Sequence, residues 1–239
     1  MFDDVLIESS RAHDKKGPKK AISLPVSVAL HALVLGAMTG ASIWFVEDVP
    51  EPPIPVTFYA AAPPPPVAPP FTTETIEELK NFRLTIETGM GNIVIDPLPE
   101  KAPNHVRHIL RLASLGAFDQ TSVHRVAPRF VIQLGDLNTR KEPLTQKTNE
   151  FVVPIRAELN DVKHERGIVS MARGNEIDSA LTSFFIVLGP NPGLDGTYTV
   201  FGRVVEGMDV IGKIEAVPVQ GEMPTTRVDV YSMRVTRRN

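Results

Sequence analysis

In "VHRVAPRFVIQLGD", residues 123–136, Arg125 lies a few residues before an apolar run that only Gln133 interrupts. The run of branched and aromatic residues around a central proline predicts two short strands, 122–126 and 130–134. Arginine stays protonated at neutral pH and cannot act as a base. The chain has no cysteine. A reaction at this stretch would therefore have to proceed without a thiol nucleophile.

The rest of the chain from residue 81 onward has the same character, with short strand-like runs bounded by Gly, Pro and Asp. Residues 81–99 predict a hairpin that turns at 88–91. The apolar spacing predicts one helix within 99–118 and a second within 206–219. About eight strands and two helices suggest a mainly β fold, a closed eight-stranded antiparallel barrel without exposed edges. The remaining strand candidates are 167–172, 183–188, 199–205 and 227–236.

The N-terminal part has a different composition. Residues 1–20 are polar and end in a basic cluster, whereas residues 21–46 contain no Asp, Glu, Lys or Arg. A membrane-spanning helix needs roughly 20 apolar residues, and the basic residues before it predict a cytoplasmic N-terminus. A cleaved signal peptide would normally have an apolar region of about 7–15 residues, so this run is too long for one. A buried helix of a soluble domain fits least well, because an acidic, proline-rich segment follows the run. The sequence predicts a single-pass anchor in a bacterial-type inner membrane.

The anchor would be followed by a proline-rich linker, 47–75, and then by a globular domain, 76–239, outside the cytoplasm. Proline-rich linkers are extended, semi-rigid spacers. Within the anchor, Ser27 and His31 are four residues apart and share one helix face. This segment resembles the anchor of TonB-type energy-transducing proteins, which implies a proton-channel partner. The simpler alternative is a neutral histidine without such a partner.

Several kinds of chemistry find no support in the sequence. The histidines lack zinc-like spacing, so neither a metal nor another cofactor is predicted. His124 is expected to hydrogen-bond the backbone inside the barrel. Ser170, Ser179 and Ser183 lack the context of a hydrolase nucleophile or a clear His/Asp pairing. Nothing in the sequence brings Asp136 and Glu158 together as paired carboxylates. The net charge of -3 provides no basic field for a nucleic-acid partner.

Four separated segments nevertheless occur in a recognisable order: "VHRVAPRFVIQLGD", "HERGIVSMAR", "SFFIVLG" and "LDGTYTVFGRVVEGMDVI". Together they resemble the cyclophilins, the cyclosporin-binding family of peptidyl-prolyl cis/trans isomerases. The resemblance implies a barrel that binds a peptide across one face and rotates an X–Pro bond. Such a reaction needs a donor to the proline nitrogen and an apolar pocket for the ring, but no nucleophile, base or metal. A permanently charged, forked guanidinium suits the donor role.

The resemblance assigns catalysis to Arg125, Phe130 and Gln133. Phe184 is expected to face the opposite side of its strand and to pack in the core. Residues implied in substrate binding are Val131, Ala172, Arg173, Ser183, Phe185, Leu194 and Tyr198.

This sequence also departs from the family pattern at four positions. Gly193 stands in place of a tryptophan, Ser183 of a glutamine, Arg173 of an asparagine and Leu134 of a glycine. The leading expectation is an isomerase that acts on the X–Pro bonds of exported polypeptides. The alternatives are a catalytically weak module that binds proline-containing segments and a TonB-like energy-coupled transducer.

Overall fold

The structure is a computed structural model, and it describes residues 24–44 and 70–238. These residues fall in two units, which divide between Pro63 and Pro64 and are described separately. The predicted cytoplasmic tail and most of the predicted linker therefore lie outside the described residues.

The first unit contains one described helix, α1, Leu24–Trp44. No helix among the described residues has both the length and the apolar character that crossing a membrane requires, so the predicted transmembrane helix is not confirmed. Nδ1 of His31 lies 2.8 Å from the backbone carbonyl oxygen of Ser27, and both residues are exposed. The hydrogen bond uses the Ser27 backbone and not its hydroxyl. The resemblance to a TonB-type anchor gains no support from it.

The second unit is built mainly from strands. Its helices are α2, Ile76–Leu79, α3, Pro103–Ser114, α4, Gln146–Asn149, and α5, Met208–Glu215, with short 3₁₀ turns at Leu137–Thr139 and Pro192–Leu194. Its strands are β1, Phe82–Thr88, β2, Gly91–Pro97, β3, Thr121–Val123, β4, Arg125–Ala127, β5, Val131–Leu134, β6, Ile168–Met171, β7, Phe184–Val187, β8, Val200–Glu206, β9, Val219–Gln220, β10, Met223–Pro224, and β11, Val228–Arg237. The two predicted helices correspond to α3 and α5, and the one-turn helices α2 and α4 were not predicted.

Nine strands form one sheet in the order β3-β11-β1-β2-β8-β6-β7-β5-β4, and β9 and β10 form a separate hairpin. The two edge strands, β3 and β4, are consecutive in the chain and are separated only by His124. The single strand predicted over 122–126 is therefore two strands at opposite edges. The prediction of a closed eight-stranded barrel is corrected to a nearly closed barrel of nine strands, because the chain bends at His124 to pair with a different neighbour on each side.

His124 itself departs from its predicted role. Its backbone N–H donates to the carbonyl oxygen of Gln133 at 3.1 Å. Its side-chain Nδ1 is buried and has no hydrogen-bond partner among the described residues, so the predicted contact to the backbone is wrong. Burial lowers the pKa of His124 below its ordinary value, since a charged ring in this place would be desolvated.

The hairpin predicted at 88–91 is confirmed. β1 and β2 pair in antiparallel register from Leu84 opposite Ile95 to Thr88 opposite Gly91. The Thr88 hydroxyl donates to the Gly91 carbonyl oxygen at 2.6 Å and accepts from the Met90 N–H at 3.1 Å, which closes the turn. Side chains alternate between the two faces of each strand, so that every second one points inward. Ile86 and Ile93 are among the inward set and are fully buried in the barrel.

Helix α3 packs against strands β11 and β8 of the barrel. Pro103 starts it, as proline suits the first turn, and Glu158 from a distant loop accepts hydrogen bonds from the backbone N–H groups of Asn104 and His105. The amphipathic spacing buries Ile109 and its neighbours against the core. The folded unit also begins before the predicted domain boundary at residue 76, because Phe71 is buried and lies edge-on to Phe82 with the ring centroids 5.0 Å apart.

His108 on α3 predicts how stability depends on pH. Its Nε2 donates to the Leu181 carbonyl oxygen at 2.7 Å, and burial lowers the pKa of His108 to about 4 from the ordinary 6.5. Between these values the unfolded chain takes up a proton that the folded chain refuses. The unfolding free energy is therefore expected to fall as pH decreases from 6.5 towards 4, by up to about 3 kcal/mol from this group.

Urea unfolding at several pH values measures this loss. His108→Gln keeps a side-chain donor but cannot titrate, so its stability should fall less steeply than that of the wild type over the same interval. His31→Gln, at an exposed position of α1, serves as the control. Parallel slopes for the wild type and His108→Gln would contradict the prediction.

Candidate active site

A cavity of about 120 Å³ opens on one face of the barrel. The residues that line it come from the three strands β4, β5 and β7 and from the loops that follow β4, β6 and β7. Ser183 lies instead on an adjoining cavity that shares Gln133, Ala172 and Arg173 with the first. The structure thus brings together every barrel residue that the resemblance implied for the site, apart from Ser183. The lining residues of the first cavity are Arg125, Phe130, Val131, Gln133, Ala172, Arg173, Phe185, Leu194 and Tyr198.

The strand register explains how the polar and apolar parts of the cavity meet. Arg125 on β4 is opposite Gln133 on β5, and Gln133 is opposite Phe185 on β7. Directly paired residues of antiparallel strands point to the same face of the sheet, so the three side chains form a row across the cavity. The pairing register of these strands therefore places the Arg125 guanidinium, the Gln133 amide and the Phe185 ring side by side.

Phe185 forms the floor of the cavity. It is buried in a cluster with Val131 and Leu194 that is separate from the main core. The Tyr198 ring stands edge-on to it with centroids 5.4 Å apart. The neighbouring Phe184 points to the other face and is fully buried in the main core, which confirms its predicted place.

Arg125 is held on three sides. Its Nε donates to a carboxylate oxygen of Glu222 at 2.6 Å, and its Nη1 lies 3.4 Å from the side-chain oxygen of Gln133. Its guanidinium carbon lies 5.6 Å from the centroid of the Phe130 ring. The hydrogen bond from Arg125 lowers the pKa of the Glu222 carboxyl group. The Glu222 contact was not predicted, because the two residues are far apart in sequence and no local pattern joins them.

A buried polar chain supports the floor from behind. Nδ1 of His164 donates to Asp195 at 3.0 Å, Nε2 of His164 lies 2.9 Å from the Ser170 hydroxyl, and the His164 ring is stacked on Phe185 with centroids 6.2 Å apart. The hydrogen bonds from His164 lower the pKa of Asp195 to about 2. The prediction that Ser170 has no His/Asp pairing is wrong. Ser170 is nevertheless fully buried, so it cannot reach a substrate. The hydrogen-bonded side chains of Asp195, His164 and Ser170 instead hold Phe185 in place.

Arg173 covers one wall of the cavity. Its guanidinium carbon lies 5.0 Å from the Tyr198 ring centroid, which is a cation–π contact. Its Nη1 donates to the carbonyl oxygens of Gly174 at 3.0 Å and Asn175 at 3.3 Å. The guanidinium is thus tied to its own loop and to the aromatic wall.

The turn after β5 shows how the fold accommodates Leu134 in place of the glycine that the family pattern implies. Leu134 is the last residue of β5, and its side chain is buried in the main core. The following Gly135 has φ of +82°, and a Cβ there would lie 2.7 Å from the Thr182 carbonyl oxygen. Gly135 alone therefore provides the sharp turn, since a side chain there would be both strained and obstructed.

The two carboxylates considered in the sequence do not form a pair. Glu158 binds His105 at 2.6 Å, whereas Asp136 lines the adjoining cavity and accepts from the Asn138 backbone N–H at 2.9 Å. Across 24–44 and 70–238, no cluster of three or more His, Cys, Asp or Glu side chains could hold a metal ion.

The described barrel is similar to known proteins over most of its length. Residues 83–235 match the family model described as cyclophilin type peptidyl-prolyl cis-trans isomerase/CLD. The peptidyl-prolyl cis-trans isomerase CYP23 of Arabidopsis thaliana is 37% identical over 161 residues, which cover 65% of this chain and 71% of the relative. A peptidyl-prolyl cis-trans isomerase of Acinetobacter baylyi is 33% identical over 168 residues, 66% of this chain and 87% of the relative.

Solved structures show the same fold. A cyclophilin type peptidyl-prolyl cis-trans isomerase of Cryptosporidium parvum, crystallised with the dipeptide Ala-Pro, has a TM-score of 0.58 and 22% identity and covers 65% of this chain and 99% of its own. Cyclophilin AquaCyp293 of Hirschia baltica has a TM-score of 0.56 and 23% identity, with 65% of this chain and 74% of its own covered. The chain therefore belongs to the cyclophilin family and is a peptidyl-prolyl cis-trans isomerase.

Proposed function

We propose that the cavity rotates X–Pro bonds by a non-covalent mechanism in which Arg125 donates a hydrogen bond to the proline nitrogen. The peptide bond resists rotation by ~18–20 kcal/mol because the nitrogen lone pair is delocalised into the carbonyl group. A donor at the nitrogen holds the lone pair there and makes the C–N bond more like a single bond. The observation that carries this proposal is the position of Arg125 on the rim of an apolar pocket floored by Phe185.

The other lining residues fit supporting roles in the same mechanism. Phe185, Val131 and Leu194 would grip the proline ring, as they form one apolar cluster. Gln133 would hold the substrate backbone, since it lies between the guanidinium and the floor in the strand register. No covalent bond forms or breaks, and preorganised charge in a pocket of low polarity stabilises the twisted state.

A catalytically weak binding module remains the second candidate. Ser183 lies outside the central cavity, and Arg173 directs Nη1 to its own loop and Nε and Nη2 to the Thr197 carbonyl oxygen. Both observations point to fewer polar contacts with a substrate than the family pattern implies.

Measurement of cis–trans exchange distinguishes the two candidates. NMR exchange spectroscopy on an uncharged proline-containing peptide, with the full chain present, should show exchange far faster than the uncatalysed rate, which takes tens to hundreds of seconds. Peptide binding with exchange at the uncatalysed rate would favour the binding module.

We also propose that the domain lies outside the cytoplasm and acts on exported polypeptides. This proposal rests on the sequence of residues 1–75. The uncharged stretch preceded by basic residues is the feature that supports it. Membrane fractionation and protease protection of the full chain in a bacterial host test both points. Recovery of the chain in the soluble fraction would contradict them.

A further inference from the structure

The β9–β10 hairpin brings a carboxylate to Arg125 from a distant part of the chain. Gly221 and Glu222 form the turn between β9 and β10, and Gly221 has φ of +66°. The base of the hairpin is closed by Thr225, whose backbone N–H and hydroxyl both donate to the Pro218 carbonyl oxygen, at 2.9 and 3.1 Å. The Glu222 backbone is therefore carried on a compact turn.

A second contact fixes this turn to the strand that bears the arginine. The backbone N–H of Val126, the residue after Arg125, donates to the Glu222 carbonyl oxygen at 2.7 Å. The Glu222 side chain then reaches Nε of Arg125 at 2.6 Å. The Glu222 backbone thus binds Val126 and its side chain binds Arg125, so two successive residues of β4 are attached to the hairpin.

The guanidinium has two distinct edges in this arrangement. Nε is bound to Glu222, whereas Nη1 faces Gln133 at a looser 3.4 Å and belongs to the cavity side. Arginine has several rotatable bonds, and a carboxylate on Nε restricts which way its fork points.

We propose that Glu222 is a positioning residue for the isomerase reaction: its carboxylate holds the Nε edge of Arg125 so that the Nη edge is presented to the substrate. The inference rests on the proposed role of Arg125. Glu222 is not a catalytic residue, because it touches the arginine and not the pocket interior.

The carboxylate has an opposing effect, since a negative charge beside the guanidinium weakens its field at the substrate. The geometry decides which effect prevails. The Glu222 side chain is 52% exposed, so water and salt screen its charge, whereas the short contact to Nε acts directly on the conformation. Orientation is therefore expected to outweigh the loss of field.

Steady-state isomerisation of an uncharged proline peptide by the full chain tests the proposal. Glu222→Ala is expected to lower kcat about two- to fivefold with KM changed less than twofold, since exposed ion pairs restrain side chains only modestly. Glu222→Gln should restore most of the activity, because its amide oxygen still accepts from Nε. Glu206→Ala is the matched control, as Glu206 is a 65% exposed acid that pairs with Arg83 at 3.6 Å.

The Arg125→Lys background separates positioning from a structural effect. In that background the fork is gone, so Glu222→Ala should change kcat no further. An equal loss in both backgrounds, a kcat equal to that of Glu206→Ala, or a gain in kcat would each overturn the inference. An inactive wild type, or an Arg125→Ala variant as active as the wild type, would instead refute the proposed function.

Discussion

Arg125→Ala is expected to lower kcat/KM for X–Pro isomerisation by a factor of about 10²–10³, the usual loss when one preorganised donor is removed from a developing charge. The expectation rests on the guanidinium at the rim of the pocket, in contact with Gln133 and the Phe130 ring. Folding should be nearly unaffected, because the Arg125 side chain is 35% exposed and its partner Glu222 is more exposed still. The measurement is the rate of cis–trans exchange on a proline peptide, with thermal unfolding as the check on folding.

Arg125→Lys is the matched control for this prediction. Lysine keeps the positive charge but loses the planar fork, so it cannot hold Glu222 and a substrate on separate edges. We expect an activity between those of the wild type and the alanine variant. Full activity in the alanine variant would contradict the donor mechanism, and full activity in the lysine variant would show that charge alone is sufficient.

Phe184→Ala is expected to lower the unfolding free energy by about 3–5 kcal/mol, the usual cost of removing a large aromatic side chain from a core. Phe184 is fully buried, and its ring stands edge-on to Phe118 and Phe201 with centroids 6.1 and 5.8 Å apart. The cavity left behind on β7 would border β8 and the turn after α3, which carry the other two rings. Urea unfolding of the full chain measures the loss.

Two further variants make this result interpretable. Phe184→Leu keeps most of the apolar volume and should cost about 1–2 kcal/mol, which remains measurable if the alanine variant does not fold. Tyr231→Ala removes an aromatic side chain from an exposed strand position, and its effect should stay within about 0.5 kcal/mol. A loss for Phe184→Ala no larger than that for Tyr231→Ala would contradict the assignment of Phe184 to the core.

Much of the barrel was predictable because strand patterning is local. The hairpin at 88–91 and the helices α3 and α5 follow from turn residues and apolar spacing within a few residues. The division at His124 did not follow, because the sequence there reads as one continuous strand. Only pairing with two different neighbours, β11 and β5, shows that the chain changes direction.

The members of the site were likewise implied one by one, by resemblance to a known family. Their register across β4, β5 and β7, which sets Arg125 beside Gln133 and Phe185, became visible only in the folded chain. Ser183 shows the limit of such reasoning, because the folded chain places it on an adjoining cavity and not on the central one.

The sequence by itself determined the β character of residues 81–239 and the opposite faces of Phe184 and Phe185. These conclusions depend on residue type and on periodicity within one strand. The tertiary structure decided the nine-stranded order, the His164 support behind the floor and the carboxylate of Glu222 on Arg125. Each of these features joins residues that are far apart in the chain. Such contacts are determined by the packing of the whole barrel and not by a local sequence pattern.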